Sequence, residues 1–333
     1  MLRVLYAGSP DASALTLKNL VENSKKISDT PNFEIVGVLT NPPSAQGRHK
    51  TPVPTPVESI AREFGIPVFS PEALNQDARA DILKINPDIL VCFAYGRIFG
   101  PKFMSLFRFG GINLHPSALP EYRGCSPINA AILDMKDCTA FSIQKISQKM
   151  DEGNILCQEK ILLSKKETAF SLLNDAAIWG AEKITELLKE ISETQKVPEG
   201  KAQEGVATYT GMIKKEDAKI DWNKDAFQID AIVRAYNPEP TAWTVENGIP
   251  LKILEGFPVS DEEAKAIFPD ANLFIENVKI PGKVVGFEKS KGILVSCKKG
   301  FFFITKLQRQ GKNPMGHKDF MNGARNFIGT VLS

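Results

Sequence analysis

The chain has 333 residues, 43% of them hydrophobic and 24% charged, with a net charge of +2 at pH 7. This is ordinary soluble globular composition, enough for about two domains with a real core. No apolar run reaches the roughly 18 residues of a membrane helix, the chain opens on a strand rather than a signal peptide, and five scattered cysteines show no paired spacing, which points to a cytoplasmic protein without a disulfide or metal framework.

Leu2 to Ala7 reads as a buried strand that stops at Gly8-Ser9-Pro10-Asp11. Leu15, Leu17, Leu20 and Val21 then recur at roughly helical spacing. Such a strand, turn and helix begin a doubly wound sheet. No G-x-G-x-x-G is present, which argues against a dinucleotide site. Phe33 to Thr40 is a second buried strand. The Pro-rich segment Asn41 to Pro56 follows, carrying Gln46-Gly47-Arg48-His49-Lys50; it is long for such a connection, as functional or disordered loops are. Val57 to Phe64 reads as helix, Val68-Phe69 as strand, and Ala73 to Ile85 as helix. Asp88 to Phe93 is a strand ending in Ala94-Tyr95-Gly96-Arg97, and a short helix lies near Pro101 to Phe107.

Gly111 to His115 is the central strand. Alternate residues of a strand share a face, so Asn113 and His115 point the same way at its end. Pro116 to Gly124 then leaves the sheet as a loop. An amide that donates and an imidazole that donates or accepts suit a carbonyl that becomes an oxyanion beside a proton transfer. Asp151, after the next strand-like run, is the candidate carboxylate to orient the histidine. A lone Asn-x-His is also compatible with a structural histidine; of the three histidines, His49 and His317 read as loop residues. Cys125, considered as a nucleophile, reads better as a small residue at a helix start.

Ser126 to Leu133 is helical. Thr139 to Ser147 and Ile155 to Leu163 are strands flanking the Asp151 turn, and Thr168 to Ile191 is a long amphipathic helix. The alternation gives an α/β fold, Rossmann-like and doubly wound, with a mostly parallel sheet. Ligands of such sheets bind at the carboxyl ends of strands; Tyr95-Gly96, the Asn113 loop and Asp151 are all expected there. The polar, Pro/Gly-bearing segment 194–207 reads as a linker between a domain at 1–193 and one at 208–333. Beyond it, Phe227 to Ala235 is helical. Short strands are expected at Ala242 to Val245, Leu251 to Leu254, Val284 to Phe287, Ile293 to Cys297 and Phe301 to Leu307. They suggest a small OB-like β-barrel of the oligonucleotide-binding kind. From Val278 onward eleven basic residues face only Glu288 and Asp319, a net +9. That is a footprint for a polyanion, with a solvated basic surface as the alternative.

Asn113-x-His115-Pro116-Ser117-x-Leu119-Pro120-x-Tyr122-Arg123-Gly124, followed by Asp151-x-Gly153, resembles the folate-dependent formyltransferase family. Ala7-Gly8-Ser9-Pro10-Asp11, the Gly47-Arg48 loop closing on Pro54-Thr55-Pro56, Ile220-Asp221-Trp222 and Arg234-Ala235-Tyr236-Asn237-Pro238 through Ala242-Trp243 resemble its methionyl-tRNA branch. The resemblance covers nearly the whole chain. It departs at Ala118, where the family has Leu, at Pro43 and Ser44, where the family's loop carries an acid and an extra arginine, and at Glu239, often an aromatic.

The resemblance implies formyl transfer from 10-formyltetrahydrofolate to the α-amine of initiator methionyl-tRNA, without a metal. It implies a catalytic triad of Asn113, His115 and Asp151, and folate against Phe93, Tyr95, Ser117, Ala118, Leu119 and Pro120. It implies tRNA contacts at Arg48, Lys50, Lys298, Lys299, Lys306 and Arg309, in a monomer with no membrane partner. The alternative acceptor is an amino-sugar nucleotide or another small amine; the +9 tail counts against it. A purine-pathway formyltransferase, a non-catalytic RNA-binding module and a nicotinamide-dependent oxidoreductase are further readings. The first lacks the second domain, the second has no use for the triad, and the third lacks its glycine fingerprint.

Overall fold

Short apolar runs bounded by Gly, Pro and Asn become strands, and the 3.6-residue patterns between them become helices. The computed structural model describes residues 1–26, 32–46, 51–268, 280–324 and 326–333. Contacts divide the chain into two units: Met1–Pro127, Cys138–Leu162 and Leu172–Gly211 in the first, Ile128–Asp137, Leu163–Ser171 and Met212–Ser333 in the second.

The first part of the chain runs β1 (Leu2–Ala7), α1 (Asp11–Lys26), β2 (Phe33–Leu39), β3 (Ser44–Gln46), β4 (Thr51–Val53), α2 (Pro56–Glu63), β5 (Val68–Phe69), α3 (Gln76–Leu83), β6 (Ile89–Cys92), α4 (Pro101–Met104) and β7 (Gly111–His115). It continues with β8 (Arg123–Gly124), α5 (Pro127–Leu133), β9 (Cys138–Lys145), β10 (Ile155–Leu162), α6 (Ala169–Thr194) and β11 (Tyr209–Thr210). Helix starts follow local chemistry. The Thr55 hydroxyl accepts from the Glu58 N–H at 3.1 Å with Pro56 in the first turn of α2, and the Asn75 side chain accepts from the Ala78 N–H at 3.0 Å to start α3. Each cap satisfies a donor the helix cannot.

Seven strands form one sheet in the order β10-β9-β7-β6-β1-β2-β5. The five from β7 to β5 are parallel. Most residues of β1, β2, β6 and β7 are buried, on both faces of the sheet, which is why these strands read as continuous apolar runs. Val4, Tyr6, Val91, Phe93 and Leu114 pack in one core layer, while Leu5, Ala7, Leu90, Cys92 and Tyr95 pack in another.

One expectation needs correction. Strands β9 and β10 are antiparallel to their neighbours. The short turn from β9 to β10 makes that pair a hairpin, whereas β9 runs antiparallel to β7 although residues 116–137, with α5, lie between them. Asp151 therefore does not follow a parallel strand's carboxyl end. It reaches the Asn113 face because the turn after β9 folds back over it.

The second unit contains a 3₁₀ turn at Lys215–Ala218, α7 (Ala226–Ala235), β12 (Trp243–Glu246), β13 (Ile249–Val259), α8 (Asp261–Ile267), β14 (Val284–Glu288), β15 (Gly292–Ser296), β16 (Phe301–Arg309), β17 (Met315–Gly316) and α9 (His317–Gly323). Its sheet is antiparallel, ordered β12-β13-β16-β15-β14, with β17 on β16. The C-terminal residues join the two outer strands. Val245 exchanges hydrogen bonds with Ser333 at 2.8 and 3.1 Å, while Leu332 donates to Gly282 and Val284 to Thr330, both at 2.8 Å. The ladder thus returns on itself and leaves few open edges. Gly300, in the Lys298-Lys299-Gly300 turn, has φ +71, the left-handed conformation glycine takes without strain. Arg234 and Asn237 are structural within this unit: the Arg234 guanidinium donates to Asp230 at 2.6 Å and to the Glu167 carbonyl at 3.0 Å, and Asn237 donates to the Leu254 carbonyl at 3.0 Å.

Candidate active site

The site grows from one face of the β7–β9 pair. Asn113 lies opposite Gln144, and His115 opposite Ser142. Residues opposite each other in an antiparallel pair project to the same side. Ser142 in turn lies opposite Gln158 of β10. Five polar side chains thus share one face at the end of an otherwise apolar sheet.

The Asp151 turn closes over this face. Asp151 Oδ1 accepts from Gln144 Nε2 at 2.8 Å and lies 3.5 Å from Asn113 Nδ2. Asp151 Oδ2 accepts the Gly124 N–H at 2.8 Å and lies 3.7 Å from His115 Nδ1. His115 and Asp151 are 6% and 13% exposed. The structure therefore brings Asn113, His115 and Asp151 together. Asp151 has φ +54 and Tyr122 has φ +57, a left-handed conformation that aspartate tolerates and that a bulky residue such as Tyr122 adopts only where its surroundings hold it.

The histidine's two nitrogens have different surroundings. Nε2 is 2.9 Å from the Tyr122 carbonyl. A carbonyl only accepts, so Nε2 carries a hydrogen and donates. Nδ1 is left facing Asp151. At 3.7 Å that separation is longer than a direct hydrogen bond, so the Nδ1 position is open to a reacting group as well as to the carboxylate.

The loop after β7 is tied to the same face. Ser117 donates to the Glu121 carbonyl at 2.6 Å, Ser142 to the Ser117 carbonyl at 2.6 Å, and Gln158 to both Ser142 Oγ at 2.9 Å and the Leu119 carbonyl at 3.2 Å. Ser117, Leu119 and Pro120 are buried and Ala118 is half-buried. Phe93 and Tyr95 are also buried, but in different core layers. Tyr95 stacks on Phe99 with centroids 5.4 Å apart, and its carbonyl accepts from Asn41 at 2.9 Å. What these two residues offer at the strand end is therefore backbone and packed ring, not two free aromatic faces. Cys92 lies beside Asn113 in the sheet; burial pushes its thiol up to about 12, so it supplies no thiolate.

Sequence reasoning missed Gln144, Gln158, Gln203 and the role of Arg123. The alternation of Ser142 and Gln144 along β9 was the available signal for the first. Gln203 lies in the segment read as a linker, yet Lys201 pairs with Ile155 through two 2.8 Å hydrogen bonds. Of the candidate basic residues, Arg48 and Lys50 lie outside the described residues. Lys298 and Lys299 are exposed in the β15–β16 turn. Lys306 pairs with Glu255 at 2.9 Å and Arg309 with Glu246 at 2.6 Å, so acids of β13 and β12 offset part of the basic tail. A separate cavity of about 810 Å³ in the second unit, lined by Lys165, Lys166, Phe227, Asp230 and Arg234 among others, contains none of the triad.

A cluster of polar side chains at the end of β7, in a mostly parallel sheet followed in the chain by an antiparallel β unit, is an arrangement suited to group transfer. Residues 3–186 match the family "Formyl transferase", and residues 212–325 match "Formyl transferase, C-terminal domain". The chain belongs to the formyl transferase family. It is 36% identical over 338 residues to a methionyl-tRNA formyltransferase of Treponema denticola, covering 98% of each chain. It is 32% identical over 334 residues to one of Pseudoalteromonas translucida, covering 99% of this chain and 97% of that one. Among solved structures it is similar to HypX from Aquifex aeolicus in complex with tetrahydrofolic acid, with TM-score 0.61 and 12% identity, covering 98% of this chain and 48% of that one. The last likeness is one of fold.

Proposed function

We propose that this chain transfers a formyl group from 10-formyltetrahydrofolate to the α-amine of initiator methionyl-tRNA, and that Asn113, His115 and Asp151 carry the reaction. The amine attacks the formyl carbon, an oxyanion forms, and the bond from carbon to N10 breaks while the proton lost by the amine passes to N10. Asn113 Nδ2 and a protonated His115 Nδ1 donate to the oxyanion. Asp151, 3.7 Å from that nitrogen, stabilises the charged ring and takes part in the proton relay. A free α-amine has a pKa near ~8, so a usable fraction is neutral at pH 7 and no activated serine or cysteine is required. The single observation carrying this reading is the convergence of the triad on one buried face. The relatives' names supply the acceptor, and the folate complex of a protein with the same fold supports the donor. Folate is proposed against Phe93, Tyr95 and the Ser117–Pro120 loop.

We assign residues 1–193 to formyl transfer and 208–333, an OB-like barrel, to tRNA, with 194–207 running between them. The protein is a cytoplasmic monomer in this reading; among the described residues no helix is long and apolar enough to cross a membrane. The deciding assay offers initiator methionyl-tRNA, elongator methionyl-tRNA and a UDP-amino sugar in parallel. Formylation of the initiator alone is expected. Transfer to the sugar instead would retain the chemistry and overturn the acceptor.

Lys298 and Lys299 are exposed, whereas Lys306 and Arg309 are paired. Removing one phosphate-binding lysine lowers the salt slope of binding by roughly one unit or less. Alanine at both 298 and 299 should therefore raise the KM for tRNA and flatten its dependence on log[salt] by about one to two. Lys306→Ala should change the slope less. A KM indifferent to salt in the unmodified protein would remove the tail from the tRNA interface.

A further inference from the structure

The Asp151 turn is held by a residue that no part of the triad includes. Gln203 Nε2 donates to the Asp151 carbonyl at 2.7 Å and the Gly153 carbonyl at 2.9 Å, and lies 3.3 Å from Gln144 Oε1. Gln203 Oε1 accepts twice from Arg123, from Nε at 3.1 Å and from Nη2 at 2.8 Å. The remaining arm of Arg123 reaches Glu152 Oε1 at 3.1 Å and the Tyr209 hydroxyl at 2.9 Å. Tyr209 also donates to Glu152 at 3.3 Å. Both ends of one amide are thus used, and its bonds run to the Asp151 turn, to Gln144 of β9 and to Arg123 in the loop that follows His115.

This arrangement has a consequence for the carboxylate. Asp151 sits in a left-handed backbone conformation, φ +54, which aspartate tolerates better than most residues with a Cβ. Its Oδ1 is aimed by Gln144 and its Oδ2 by the Gly124 N–H, both 2.8 Å away. Gln203 fixes the backbone from which that carboxylate projects, and through Arg123 it fixes the residue preceding Gly124. Resting on the formyl-transfer reading, we propose that Gln203 is a positioning residue: with Arg123 it clamps the Asp151 turn so that the carboxylate faces His115 Nδ1. A small displacement of a reacting group from its productive geometry is costly in rate even where the fold survives.

A residue acting only through Asp151 has no effect once that carboxylate is gone, so the test is a double-mutant cycle. Single-turnover rates and KM for methionyl-tRNA are measured for the unmodified protein, Gln203→Leu, Asp151→Asn and the pair together, with thermal unfolding alongside. Gln203→Leu is expected to lower the rate by about tenfold or more with KM within about twofold, and to change the rate by less than about twofold in the Asp151→Asn background. Gln203→Glu keeps the shape and the Arg123 contact but turns an oxygen toward two carbonyls; it should fold normally and lose rate similarly, which covers the case in which leucine unfolds the protein. An unaffected Gln203→Leu, or equal losses in both backgrounds, overturns the proposal while a large Asp151→Asn loss leaves the chemistry standing. An Asp151→Asn protein as fast as the unmodified one overturns the reading of the triad and the clamp with it.

Discussion

Asn113→Ala and His115→Ala should each lower the rate of formyl transfer by about 10²–10³-fold, since removing one oxyanion donor typically costs roughly 3–4 kcal/mol. In the proposed reaction neither residue supplies the nucleophile, which belongs to the substrate, so the loss falls on stabilisation of the tetrahedral oxyanion. The two changes should not multiply. Asn113 Nδ2 and His115 Nδ1 flank the same carboxylate, at 3.5 and 3.7 Å, and groups acting as a unit lose most of their effect with the first removal. The rate of the double variant should therefore lie within about tenfold of the slower single variant. Fold integrity separates catalysis from collapse. Among the described residues the Asn113 side chain makes only that long hydrogen bond, and it is half-buried, so Asn113→Ala should leave the melting temperature almost unchanged. His115 is buried and bonded to the Tyr122 carbonyl, so His115→Ala is expected to lower it, and His115→Gln serves as the less disruptive partner. A double variant still transferring formyl within about tenfold of the unmodified rate would sink the assignment.

Asn113 and His115 were legible because strand alternation is local: two polar residues two apart in an apolar run must share a face. The parallel strands were legible because they are short continuous apolar runs, and the starts of α2 and α3 because their caps lie within three residues. What was not legible depends on strand direction and on distant partners. A period of two is the same whether a strand runs parallel or antiparallel, so β9 gave no warning that Gln144 would stand opposite Asn113. The segment 194–207 has the composition of a linker, and only its pairing with Ile155 and the bonds of Gln203 reveal that it packs on the first unit, against the Asp151 turn. The basic tail was counted along the chain, but Glu246 and Glu255, which pair with Arg309 and Lys306, come from strands 63 and 51 residues earlier. Helix α8 has a signal of the local kind, since Ser260 and Glu263 form a capping box.

Gly153→Ala tests how firmly the turn is built. A Cβ at Gly153 would stand 1.7 Å from the Lys145 carbonyl oxygen and 2.7 Å from its carbon. Both are backbone atoms, so no side chain can swing away. Lys145 cannot yield easily either: its N–H donates to the Asn154 carbonyl at 2.9 Å, and the next N–H, of Ile146, donates to Gly111 at 2.8 Å. The turn must therefore move, and with it Asp151. Overpacking of this kind costs about 1–3 kcal/mol, while displacement of a catalytic group by about 1 Å can cost 10²-fold in rate. Gly153→Ala should accordingly lose about 10²-fold in formyl transfer together with a measurable drop in melting temperature. Gly211→Ala is the control, because a Cβ there meets nothing within 4 Å. If Gly153→Ala kept both the rate and the melting temperature of the Gly211→Ala protein, the turn would have a second arrangement that still delivers the carboxylate, and the need for glycine two residues after Asp151 would lose its steric basis.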